Sequence, residues 1–150
     1  LRGGTDYSLF NGVISNKTNS CLDIDGAQTA AAADAAVDEA GAPVFRSVIF
    51  GCPTAARDET DVPLSLITPL ITGNNNLLPP VTLTLTSIFL PGANETAAVG
   101  FNPSTINSFF DAASYVGAFR NATDTWYTGW TCGVGTGATS CLTAPANTGS

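Results

Sequence analysis

SLFNGVIS, residues 8–15, decides how the rest of the chain is read, because a similar phrase returns twice. FRSVIFGC occupies 45–52 and LTSIFLPG occupies 85–92. In each phrase a small polar residue (Asn11, Ser47 or Ser87) stands just before apolar residues. Those apolar residues are Val13-Ile14, Val48-Ile49-Phe50 and Ile88-Phe89-Leu90. A breaker follows each run: Asn16, then Gly51-Cys52-Pro53, then Pro91-Gly92. Asn11 and Ser47 are 36 positions apart, and Ser47 and Ser87 are 40. A unit of that size cannot bury its own apolar face, whereas stacked copies bury a continuous core. Stacked Asn or Ser side chains could bond one another at the bends. Two architectures fit the repeat: a solenoid of stacked strands, or an ordinary β-sandwich whose strands are alike by chance.

The bulk composition narrows the class of protein. A chain of 150 residues can form one domain with a real core. At 44% hydrophobic it is not disordered by composition. Only 11% is charged, roughly half the usual share, and Thr, Asn, Ser, Gly and Ala fill the gap. That balance suits an extracellular β-protein. With a net charge of −7 and five basic residues, nucleic acid is excluded as the expected partner, because phosphate binding needs clustered Lys and Arg. The absence of His excludes Ser-His-Asp and Cys-His nucleophiles within this chain, and His-containing zinc sites with them. The absence of Met predicts that the chain is a processed product or a piece of something longer. No apolar run reaches 18 residues, so no membrane span is expected, and any export signal would lie upstream.

Four cysteines stand at Cys21, Cys52, Cys132 and Cys141. None forms a C-x-x-C pair, which weakens zinc and redox readings. An even count in a chain poor in Lys reads as two disulfides and an oxidising compartment. Three pairings exist, and four buried free thiols are the plainer alternative. Cys132 and Cys141 flank the flexible loop GVGTGATS, which favours joining them and leaves Cys21 for Cys52.

Along the chain, residues 7–14, 21–25 and 44–50 read as strands, and 115–119 as another. VTLTLTSIFL (81–90) alternates Val and Leu against Thr and is the clearest strand pattern of all. AQTAAAADAAVDEAGA (27–42) has helix propensity, with Gly41 and Pro43 as stop signals. PLSLITPLIT (63–72) predicts a helix capped by Asp61 and limited by Pro69. FNPSTINSFF (101–110) predicts a short helix with Asn102 as its cap and Pro103 in its first position. Residues 54–62 carry the densest charge and are expected in solvent.

FFDAASYVGAFRNATDTWYTGWTC (109–132) resembles the closing segment of a largely uncharacterised family of secreted or surface-anchored bacterial proteins. The matching residues are Phe109-Phe110-Asp111, Tyr115-Val116-Gly117-Ala118 and Trp126-Tyr127-Thr128-Gly129-Trp130-Thr131. LRGGTDYSLFNGVI and CLDIDGAQT look like an internal coil of the same family. The resemblance implies an all-β fold, the last coils of a right-handed parallel β-helix with short helical insertions. Residues 1–100 would form coils with inserted loops, and 101–150 the final coil and its cap. It also implies further coils upstream. Trp126, Tyr127 and Trp130 have the bulk to cover the last coil, and their faces could instead stack on sugar rings. The first coil would expose strand edges and core, to be covered by upstream coils or by a neighbouring subunit.

Candidate sites are few. Asp23-Ile24-Asp25-Gly26 is like part of a calcium loop but lacks its closing Glu. Asp23 and Asp25 share one face of a strand and could hold a hard cation such as Ca²⁺; a solvated face is the plainer reading. A polysaccharide lyase would need a base beside acidic ligands, and only Arg2, Lys17, Arg46, Arg57 and Arg120 are basic. Nothing in the sequence aligns them with Asp23 and Asp25, so no catalytic residue is assigned. Asn16, Asn94 and Asn121 head N-x-S/T sequons, which chance supplies in a chain so rich in Asn and Thr. No nucleotide motif is present.

The expected protein is therefore a non-catalytic structural or adhesive β-solenoid module, secreted or on the outer cell surface, without a required cofactor. Two alternatives stand beside it. One is a polysaccharide-binding or polysaccharide-degrading β-helix protein with its site upstream; the other is a subunit of an extracellular filament or surface layer.

Overall fold

A computed structural model describes residues 1–31, 36, 40–87 and 89–127. The first two phrases each become two short strands around a bend. Ser8–Phe10 (β1) and Val13–Ser15 (β2) flank Asn11, and Val44–Arg46 (β3) and Ile49–Gly51 (β4) flank Ser47. Asn11 and Ser47 both have φ of 56°, the left-handed region that short polar side chains tolerate better than branched ones. One continuous strand is expected for each phrase, over 7–14 and 44–50; the left-handed residue splits it. β1 pairs with β3 and β2 with β4, both parallel and both offset by 36 residues, with Leu9 beside Phe45 and Ile14 beside Phe50.

The expected right-handed parallel β-helix does not form. The described residues hold four strands of three residues each, in two separate two-stranded parallel sheets, with two α-helices and two 3-10 turns. This is a small mixed α/β architecture. The third phrase fails for a local reason. Residues 81–85 take no regular secondary structure, and the Ser87 hydroxyl oxygen accepts from the N–H groups of Phe89 and Leu90. Thr84, in the middle of the alternating run, is held instead by Glu95 and Asn94. The third row beside β4 comes from 73–78: Ser47 N–H donates to Asn74 O, and Ile49 bridges to Leu77 in parallel.

Other elements follow the sequence in part. Leu64–Ile71 (α1) forms, but Pro63 stands at its N-cap position, and Asp58 rather than Asp61 accepts from Leu64 N–H. Asp61 accepts from Gly26 N–H. Ala93–Ala97 (α2) is a single short helix. The helix expected over 101–110 is only a 3-10 turn at Pro103–Thr105, though Asn102 caps it as the Asn-Pro pair predicts. Of the helix expected over 27–42, the described residues show a 3-10 turn at Ala27–Ala30; residues 32–35 and 37–39 lie outside the described residues. YVGAF is bent rather than extended, with Gly117 at φ 106° and its N–H given to Asn11 O.

Nine of the buried apolar residues form one cluster. Leu22, Ile24, Phe45, Val48, Phe50, Ala56 and Val62 meet Ile67 and Ile71, one turn apart on α1. Asn76 ties these parts together. Its Oδ1 accepts from Val48 N–H at 2.9 Å, and its Nδ2 donates to Phe45 O and Ile71 O at 2.9 and 3.0 Å. The side chain thus satisfies the backbone where the β3–β4 bend would otherwise leave buried polar groups unpaired.

Candidate functional site

The alternation in Cys21–Asp25 is resolved by burial. Leu22 and Ile24 point into the core, while Asp23 and Asp25 point out. Single parallel bridges, Leu22 to Ala56 and Arg2 to Asp25, hold the segment. The two carboxylates line an open cleft of about 500 Å³ with Leu1, Arg2, Arg57 and Glu59. Each already faces a guanidinium: Asp23 lies 3.1 Å from Arg57, and Asp25 lies 3.9 Å from Arg2. Arg57 also holds Glu59 at 2.8 Å. A calcium ion needs six or more oxygens, and among the described residues no three acidic, Cys or His side chains converge. Asp23 and Asp25 are thus an exposed ion-pair row.

The aromatic residues assigned as a cap are divided. Phe119 is buried and touches Phe89, Trp126 and Tyr127, with ring centroids 6.0, 5.9 and 4.6 Å away. Trp126 donates from Nε1 to Ala118 O at 2.9 Å, yet half of the residue is exposed. The buried anchor is therefore Phe119, which the sequence reading passed over. Trp130 lies outside the described residues, as do Cys132 and Cys141. Cys21 and Cys52 are disulfide-bonded, which is compatible with an extracellular protein. No described helix is long and apolar enough to cross a membrane.

The three sequons differ. Asn16 and Asn121 each accept, through Oδ1, the N–H and hydroxyl of the Thr two residues on. Asn94 sits in α2 and gives its amide to Thr82 O. Its neighbour Glu95 is the most enclosed ionisable group described. Oε1 accepts from Thr84 N–H, and Oε2 accepts from the Thr84 hydroxyl and Gly92 N–H, all within 2.9 Å. Burial pushes its carboxyl up, but the Thr84 and Gly92 donors outweigh burial and hold it below the usual carboxylate range. Nothing in the sequence separated Glu95 from an ordinary exposed acid.

Among the described residues, the β1–β2 row has an open edge. In a parallel ladder alternate residues bond to opposite sides. Val44 N–H donates to Tyr7 O, Asn11 N–H to Arg46 O, Ile49 N–H to Gly12 O and Asn16 N–H to Gly51 O. These bonds turn Leu9 and Ile14 toward β3 and β4. The backbone groups of Ser8, Phe10, Val13 and Ser15 therefore face away, toward no described strand. The core is uncovered on the same side. Phe45 and Phe50 are 1% and 0% exposed, whereas their register partners Leu9 and Ile14 remain partly exposed. No charged residue interrupts 8–15 to discourage pairing.

Compared with protein-family models, curated proteins and solved structures, the chain matches none. The resemblance drawn on residues 109–132 thus rests on its motif alone.

Proposed function

We propose that this chain is a non-catalytic structural or adhesive module, secreted or held at the outer cell surface, and that it works by assembly through the β1–β2 edge. The observation that carries this reading is the open row itself. Among the described residues, backbone groups without a strand partner and a partly exposed end of the core occur together on an uncharged edge. Such an edge is a template for another strand. The Cys21–Cys52 disulfide supports an oxidising location. The ionisable groups give no support to catalysis: Asp23, Asp25 and Glu59 face arginines, and Glu95 is fully occupied by donors.

The test is hydrogen exchange on native, unrefolded material, with electron microscopy of the same sample. The amides of Ser8, Phe10, Val13 and Ser15 should be protected in the native particle. A variant with Ser8→Lys and Ser15→Lys, both at exposed positions, should lose that protection and disperse any ordered assembly. Dispersed native particles whose edge amides exchange as fast as loop amides would sink the proposal.

A further inference from the structure

Asn11–Gly12 is the only Asn-Gly step in the chain. Glycine has no Cβ, so its backbone nitrogen is the least hindered of any residue's and can reach the carboxamide of an asparagine before it. We infer that Asn11–Gly12 is a conformation-gated modification site: the fold shields it from deamidation, local opening exposes it, and reaction there keeps the bend from closing again. Water is the only co-reactant that the step needs. The Gly12 nitrogen, deprotonated by solvent base, bonds to Asn11 Cγ. The Cγ–Nδ2 bond breaks, and ammonia leaves, regaining a proton from solvent. Water then opens the cyclic imide at either carbonyl, which leaves aspartate or its β-linked isomer at position 11.

The shield holds both ends of the side chain. Asn11 Nδ2 donates to Phe101 O, and Asn11 Oδ1 accepts from Phe101 N–H, both at 2.7 Å. While these bonds last, Cγ is turned toward Phe101 and is not free to swing over the Gly12 nitrogen. The backbone of Asn11 is anchored as well: its N–H donates to Arg46 O, and its carbonyl accepts from Gly117 N–H. Phe101 is itself pinned. Its ring packs on Phe10 with centroids 5.3 Å apart, and the Arg46 guanidinium carbon lies 5.0 Å from its centroid. Reaction undoes this arrangement in two ways. A carboxylate sets an oxygen against Phe101 O where Nδ2 had donated, so one bond becomes a repulsion. The β-linked isomer also lengthens the backbone between β1 and β2. Their ladders to β3 and β4 share one offset of 36 residues, so both cannot keep register across a longer bend. Asn19–Ser20 supplies a comparison within the same chain: Asn19 is exposed, and Ser20 has the side chain that Gly12 lacks.

The test is peptide mapping by mass spectrometry of the intact chain kept in mildly alkaline buffer, native and in urea, with deamidation scored at Asn11 and Asn19. In urea Asn11 should react ahead of Asn19. In native buffer the order should reverse, with Asn11 at least about tenfold slower than in urea, because reaction waits on local opening. Phe101→Ala removes the ring packing and keeps the backbone groups that Asn11 binds; it should speed Asn11 and leave Asn19 unchanged. In the reacted fraction the Phe101 amide should exchange hydrogen at least about tenfold faster than in the unreacted chain. Equal Asn11 rates in native buffer and in urea would overturn the shield. So would a folded Phe101→Ala variant whose Asn11 rate is unchanged; if that variant does not fold, the comparison of native buffer with urea decides. A reacted chain that protects its Phe101 amide as before would show that the bend closes again and overturn the gate. No reaction at Asn11 in urea would overturn the site itself.

Discussion

Replacing Glu95 by glutamine is expected to destabilise the fold by about 3 kcal/mol at neutral pH. The figure follows from three short bonds. Oε1 takes Thr84 N–H at 2.8 Å, and Oε2 takes the Thr84 hydroxyl and Gly92 N–H at 2.9 Å each. Glutamine keeps one acceptor oxygen and places an amino group where the other stood. At least one donor of the cluster then meets a donor, and an unsatisfied buried group costs roughly 1–3 kcal/mol. The bonds that survive lose their charge assistance, worth about 1 kcal/mol apiece. A loss of about 3 kcal/mol would lower Tm by roughly 6–12 °C in a domain of this size. The pH dependence has a definite sign. The folded carboxyl titrates below its unfolded value, because the Thr84 and Gly92 donors outweigh burial. Its contribution is therefore complete above the ordinary carboxylate range near pH 4.3 and is lost as pH falls through the lower folded value. Urea unfolding of both proteins at pH 7 and near pH 3 isolates this group, since the other carboxylates are common to both. The gap should be wide at pH 7 and narrow in acid. A gap below about 1 kcal/mol at pH 7 would refute the bonding argument. A gap of equal width at both pH values would refute the linkage argument.

Asn76→Ala should cost about 2–4 kcal/mol in urea unfolding, because it orphans Val48 N–H and removes the donors to Phe45 O and Ile71 O. A change within the error of the measurement would mean that water replaces the side chain. Serine at both Cys21 and Cys52 should cost at most about 3.7 kcal/mol, from a loop closed across a separation of 31 residues. Identical denaturation midpoints with and without reductant would contradict that. Trp126→Ala should cost only about 1–2 kcal/mol, since half of the residue is already exposed, against 3–5 for a buried aromatic. A loss in the higher range would show that the indole closes the core after all.

Legibility varied from element to element. The repeat SLFNGVIS and FRSVIFGC was readable, but the role of its small polar residue was not: instead of bonding each other, Asn11 binds the Phe101 backbone and Ser47 Oγ has no partner among the described residues. The cap at Asn102-Pro103 was readable because it is a local bond between Asn102 Oδ1 and Ser104 N–H. VTLTLTSIFL misled because alternation shows only that a strand would be tolerated. A strand also needs a neighbour with free backbone groups. The place beside β4 is taken by Leu77, so the better pattern stays unpaired. For the acidic pair, the shared exposed face was readable and its ion pairs were not. Asp23 and Asp25 do share a face, but Arg57 and Arg2 reach it from elsewhere in the chain.

The sequence by itself determined the local rules of this protein. It set that Asp23 and Asp25 share one face, that Asn102 caps the turn at Pro103, and that its cysteines favour an oxidising setting. Only the tertiary structure decided which rows lie side by side, because pairing depends on competition among distant segments for one set of hydrogen-bonding groups. That competition put 73–78 where 85–92 was expected and enclosed Glu95 beneath Thr84. It also left Ser8, Phe10, Val13 and Ser15 facing outward along an edge with no described strand beside it.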